Sequence, residues 1–150
     1  MSDLWVYDIE TFPQVFTIAF EHAEAPLRIS FEISPWKNDT PALLRFLASL
    51  KADGSRLVGF NNVGFDYPVL HTLIKMGVGD ATVLYQKAMA IIEGEDRDRF
   101  THLVKPTDCY IPQVDLMKIH HMDPRGAKAT SLKMLEFNMR SDNIVDLPFP

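Results

Sequence analysis

Two carboxylates stand at the end of an apolar run near the start of the chain, in Leu4-Trp5-Val6-Tyr7-Asp8-Ile9-Glu10-Thr11. Side chains alternate across a strand, so Asp8 and Glu10 share one face and Trp5, Tyr7 and Ile9 take the other. Like charges one strand repeat apart repel, more strongly where water is excluded. A hard divalent cation removes that repulsion, because carboxylate oxygens are the natural ligands of Mg²⁺ and Mn²⁺. A strand end fraying into water, with both acids simply solvated, is the plainer reading of this tripeptide taken alone.

A second stretch, Gly59-Phe60-Asn61-Asn62-Val63-Gly64-Phe65-Asp66-Tyr67-Pro68-Val69-Leu70, follows the short apolar pair Leu57-Val58. Phe65, Val69, Leu73 and Met76 recur at helical spacing, and Pro68 suits a first helical turn, where a missing N–H leaves no bond unmade. Asp66 is therefore expected at or just before a helix N-terminus, where the helix dipole favours a carboxylate. By itself it reads better as an N-cap and nothing more.

Taken together, Asp8-Ile9-Glu10-Thr11 and Asn62-Val63-Gly64-Phe65-Asp66 resemble the first two exonuclease motifs of the DnaQ-like (DEDD) 3′–5′ exonuclease family. The wider runs, 7–13 and 59–70, look most like the proofreading exonucleases of phages and viruses. The resemblance implies a ribonuclease-H-like fold and metal-dependent hydrolysis of phosphodiester bonds at the 3′ end of single-stranded DNA. It also implies two metal ions, Mg²⁺ or Mn²⁺, straddling the scissile phosphate. On the family pattern Asp8 would bridge the two ions, Glu10 would hold the one on the nucleophile side, and Asp66 would act partly through water on the other. Thr11, Asn62 and Phe65 match positions that hold the terminal nucleotides by backbone, amide and aromatic contact. From the residues alone Phe65 is equally a core residue and Asn62 equally a turn residue. A DNA polymerase or other replication protein is the partner the resemblance suggests.

One family feature has no match. The last carboxylate of the family lies on a C-terminal helix shortly after a Tyr or His, and nothing in residues 133–150 supplies it. The expectation is a domain truncated at its C-terminus, binding metal weakly and cleaving slowly or not at all. Two alternatives stay open: a degenerate module that binds nucleic acid or a protein without cutting, and an exoribonuclease. Tyr110 and Asp115 imitate the missing motif in spacing, but Pro112 and a strand-like pattern argue against the helix it needs. Asp115 is read instead as a support for its own strand, with a role behind the site as an alternative. His120-His121 with Asp123 gives no zinc site, since adjacent residues of a strand face apart.

The chain that must position these residues has 150 of them, 47% hydrophobic and 23% charged, which suits one soluble globular domain. No apolar run is long enough to span a bilayer, and the N-terminus lacks the pattern of a signal peptide. Cys109 is the single cysteine, which points to a reducing compartment, the cytoplasm, or the host's if a phage encodes the chain. The net charge of −5 argues against a protein that coats nucleic acid, though not against one gripping a strand end through metal ions. Residues 117–140 hold the best basic patch for a DNA backbone, or merely a solvated basic face.

Strands are expected at 4–10, 15–20 and 27–33, forming an antiparallel meander, then a loop over 34–41. A helix follows with Thr40 as N-cap and Pro41 as first residue, ended by Gly54. Next come a strand at 57–60, the Asp66 helix to about Gly77, a helix over 81–93, and a charged stretch at 95–99. Residues 104–108 read as loop, 111–119 as a strand, and 130–139 as a helix. The result is an α/β fold with a mixed sheet, three antiparallel strands followed by parallel ones, and flanking helices. Right-handed crossovers would bring Asp66 close to Asp8 and Glu10.

Overall fold

A computed structural model describes residues 3–94 and 101–120, the side chains of 119 and 120 excepted. The fold is α/β, with one six-stranded mixed sheet. Strands β1 (Leu4–Phe12), β2 (Val15–His22) and β3 (Arg28–Ser34) form the expected meander. The turn between β1 and β2 is Pro13-Gln14, with Phe12 opposite Val15. The two-residue strand β4 (Lys37–Asn38) then folds back on β3, inside the stretch expected to be loop. Helix α1 (Thr40–Ala52) leads to β5 (Arg56–Gly59), and helices α2 (Asp66–Met76) and α3 (Ala81–Glu93) follow. A single 3-10 turn, Pro106–Asp108, precedes β6 (Gln113–Asp115) and α4 (Leu116–His120). The strand order is β4-β3-β2-β1-β5-β6, and β5 is parallel to both β1 and β6.

Alternation decides which face of the sheet is covered. Tyr7, Ile9, Phe16, Ile18, Phe20, Phe31, Ile33 and Leu57 point one way and are buried. They share one core with Leu43, Leu47 and Leu50 of α1, Val69, Leu70 and Leu73 of α2, and Leu84 and Ala88 of α3. Each such aliphatic side chain, fully buried, contributes roughly 1.5–3 kcal/mol relative to exposure. Asp8 and Glu10 occupy the other face of β1 and are exposed. They are not set into the strand's apolar face, because that face is the one turned to the helices.

Three boundaries differ from expectation for local reasons. Asp39, not Thr40, is the N-cap of α1, and Thr40 is its first residue. The Asp39 carboxylate instead accepts from the Glu32 N–H at 2.9 Å, which ties the helix start to β3. The strand expected over 111–119 is only three residues long, since Asp115 Oδ1 accepts the Met117 N–H at 3.0 Å and starts α4. The stretch 104–108 contains the 3-10 turn. Gly77, at φ +71°, ends α2 in the left-handed conformation, at the position where the helix was expected to stop. The expected helix at 130–139, most of the basic patch, His121, Asp123 and the 95–99 charge run lie outside the described residues. Among the described residues no helix is long and apolar enough to cross a membrane.

Candidate active site

β1 and β5 pair only from Leu4 to Val6, against Arg56 to Val58. Beyond Val6 the edge of β1 is released from β5, and its backbone needs other partners. At Ile9 that partner is a side chain: the Ile9 N–H donates to Asp66 Oδ2 at 3.2 Å, a bond spanning 57 positions of sequence. The site thus lies where the carboxyl ends of parallel strands diverge, the usual position for ligands in open α/β sheets.

Asp66 is the first residue of α2 and is 8% exposed. It faces the Asp8 carboxyl closely enough for the two to share a proton. Burial, then the charge of Asp8, raise the Asp66 pKa to about 8. The Asp8 pKa is raised as well, chiefly by burial of the carboxyl, although the residue as a whole still touches solvent. Both carboxyls are thus shifted toward the protonated form, and the proton belongs to the pair. Glu10, one strand repeat further along the same face, has its pKa raised by burial first and by Asp8 second.

The segment that delivers Asp66 is a compact turn. Asn61 takes φ 58°, a left-handed conformation that asparagine tolerates better than most residues. Its carbonyl accepts from the Gly64 and Phe65 N–H groups at 3.2 and 3.0 Å, and the Asn62 carbonyl accepts from the Tyr67 N–H at 2.7 Å. The Asn62 side chain is fully buried, its Nδ2 donating to Gln113 Oε1 at 2.8 Å. The Tyr7 hydroxyl donates to the same oxygen at 2.7 Å. Burial, with the nearby Asp66 charge, raises the Tyr7 pKa well above the usual tyrosine range. Asn62 Oδ1 is buried with no partner.

The expected site residues are therefore only partly assembled. Asp8 and Asp66 meet, and Glu10 lies beside them on the strand. The Asn62 amide is buried and turned inward, with its Nδ2 on Gln113 Oε1. Phe65 is half-buried and packed against the core, and Thr11 is half-buried near the end of β1, opposite Phe16. Carboxylate oxygens suit Mg²⁺ or Mn²⁺ in kind, and a cation would displace the proton now shared by Asp8 and Asp66. Among the described residues no three His, Cys, Asp or Glu gather closely enough to hold an ion.

Comparison of the chain with protein-family models, with curated proteins and with solved structures gives no match. No family is shown. What the chain can do rests on its own residues and their geometry.

Asp115 and Gln113 enter the arrangement without having been named as site residues. Asp115 is 5% exposed and takes the N–H groups of Asn61 and Val63 at 2.8 and 3.2 Å. With the Met117 N–H, three backbone donors converge on its carboxylate. The readable signal was an acid closing a short apolar strand directly before a helical run.

Proposed function

We propose that the chain is a metal-dependent 3′–5′ exonuclease of ribonuclease-H-like layout, acting on the 3′ end of single-stranded DNA. The observation that supports this reading best is the meeting of Asp8 and Asp66, two acids from distant segments, at the open carboxyl end of a mixed sheet. Two carboxyls in contact cannot both ionise, and that is a poor arrangement for stability alone. It becomes favourable when a dication replaces the shared proton. Asp8 and Asp66 would hold Mg²⁺ or Mn²⁺, with Glu10 completing the set by a change of side-chain rotamer. When bound, such ions make water nucleophilic at neutral pH and stabilise the leaving oxygen. Asp66 must then give up its proton, and the Ile9 N–H steadies the resulting carboxylate. Phe65, half-open beside Asp66, offers a face on which a terminal base could stack without regard to sequence.

A second reading has its own support: with Glu10 outside the pair, the domain would bind nucleic acid or a replication protein such as a polymerase and not cut. One experiment separates the two. End-labelled single-stranded DNA and RNA oligonucleotides are incubated with the protein in Mn²⁺, in Mg²⁺ and in chelator. The expected result is slow shortening of DNA from its 3′ end, dependent on metal. Asp8→Ala should reduce it by roughly 10²–10⁴-fold, the loss typical of one positioned acid–base group. Binding without shortening would establish the second reading. Preference for RNA would make the domain an exoribonuclease. Cleavage by Asp8→Ala at the wild-type rate would sink the assignment of the site.

A further inference from the structure

We infer that Asp115 is a positioning residue, which fastens the turn at 61–63 so that Asp66 is delivered to the edge of β1 beside Asp8. The argument is a continuous chain of hydrogen bonds. Asp115 stands at the end of β6, paired with Gly59 at the end of β5, and its carboxylate faces the turn leaving β5. Oδ1 accepts from the Asn61 N–H at 2.8 Å, and Oδ2 accepts from the Val63 N–H at 3.2 Å. Both ends of the turn are thereby held by one buried anion, fifty or more positions away in sequence. The turn in turn holds the start of α2, since the Asn61 carbonyl takes the Gly64 and Phe65 N–H groups and the Asn62 carbonyl takes that of Tyr67. Asp66 lies between those anchored residues, and its carboxyl closes the chain on the Ile9 N–H.

A carboxylate is the side chain this job requires. Three backbone donors converge on it, counting the Met117 N–H at 3.0 Å on Oδ1. Charge-assisted bonds of this kind are stronger than neutral ones. The left-handed Asn61 adds to the need for an anchor, because that conformation still costs asparagine more than an ordinary one. A purely structural role for Asp115 would end at the cap of α4. The two bonds to the turn have no part in that cap, and they act on the segment that carries Asp66. The placement holds whatever the carboxyl pair binds; its consequence for cleavage rests on the exonuclease reading.

Asp115→Asn isolates the relevant bond. An asparagine oxygen in the place of Oδ1 still accepts from Asn61 and Met117, while its amide group opposes the Val63 N–H. The primary readout is hydrogen exchange at the Ile9 amide, protected only as long as Asp66 is in place. In the full chain, Asp115→Asn should speed exchange at Ile9 by roughly three- to tenfold, the factor that losing about one net hydrogen bond supplies. Amides of β1 that bond to β2 should keep their wild-type protection. Unchanged exchange at Ile9 would overturn the inference. A uniform rise across β1 would overturn it too, because Asp115 would then act on the whole fold and not on Asp66. Mn²⁺ affinity is measured alongside in both proteins. Absence of Mn²⁺ binding by the wild type would count against the proposed function and leave the exchange result to judge Asp115.

Discussion

At the scale of single residues, Asp66 carries the clearest pH signature. Its pKa is pushed up to about 8 in the fold, far above the usual aspartate range, so the folded chain keeps a proton that the unfolded chain releases. The folded state therefore binds more protons over that interval, and stability from this group is complete below the unfolded pKa and lost as pH rises through the folded one. Thermal melts of the metal-free protein should fall in midpoint between about pH 5 and about pH 8. Asp66→Asn, neutral at every pH, should flatten that slope; an unchanged slope would mean that Asp66 is ionised throughout. Phe65 poses a different question, since its ring is half-buried and packed against the core. Phe65→Ala is expected to weaken single-strand affinity by roughly 1–3 kcal/mol, read by fluorescence anisotropy, if the ring stacks on a base. Loss of the folded state on that substitution would assign the ring to the core.

At the scale of elements, the passage from β5 to α2 is the sensitive joint. A Cβ built on Gly59 would lie 2.8 Å from Asn62 Cβ and 2.9 Å from its Cγ. The buried Asn62 cannot retreat without giving up Gln113, so the glycine is there for close approach. Gly59→Ala should lower stability by roughly 1–3 kcal/mol, the usual range for overpacking, in a denaturant titration. A cost near zero would show that the turn can shift as a body. Other joints are more ordinary. Asp80 caps α3 through the Thr82 and Val83 N–H groups at 3.0 and 3.3 Å, and Thr82 Oγ1 reaches the Pro13 carbonyl at 3.1 Å. These contacts pin α3 beside the β1–β2 turn without touching the carboxyl pair.

At the scale of the whole molecule, one sheet with its helices packed on the Tyr7 face leaves the carboxyl ends of β1, β5 and β6 to gather the acids. An excess of five negative charges over the chain makes an uncompensated acidic site costly and a cation welcome. Mn²⁺ or Mg²⁺ should raise the melting temperature by mass action, with a gain of about 2.7 kcal/mol at a hundredfold excess over the dissociation constant. Asp8→Ala should remove the shift. A melting temperature that ignores both metals up to millimolar concentration would leave the carboxyl pair as a proton-sharing element of the fold.

Much of this architecture was legible in the residues. The alternation of β2 and β3, the 3.6-residue spacing of Leu43, Leu47 and Leu50, and the helix over 81–93 follow from local periodicity, which a chain displays without its tertiary partners. The acids Asp8, Glu10 and Asp66 were legible by type and context, and so was the position of Asp66 at the head of a helix. Tertiary structure alone decided the rest. The inward turn of the Asn62 amide depends on Gln113, 51 positions away, and the work of Asp115 depends on N–H groups left free by a turn 52 to 54 positions away. Whether two acids from distant segments come close enough to share a proton is set by distances of a few ångströms between those segments. No local pattern encodes those distances, because the energy that fixes them belongs to the packed sheet and helices together.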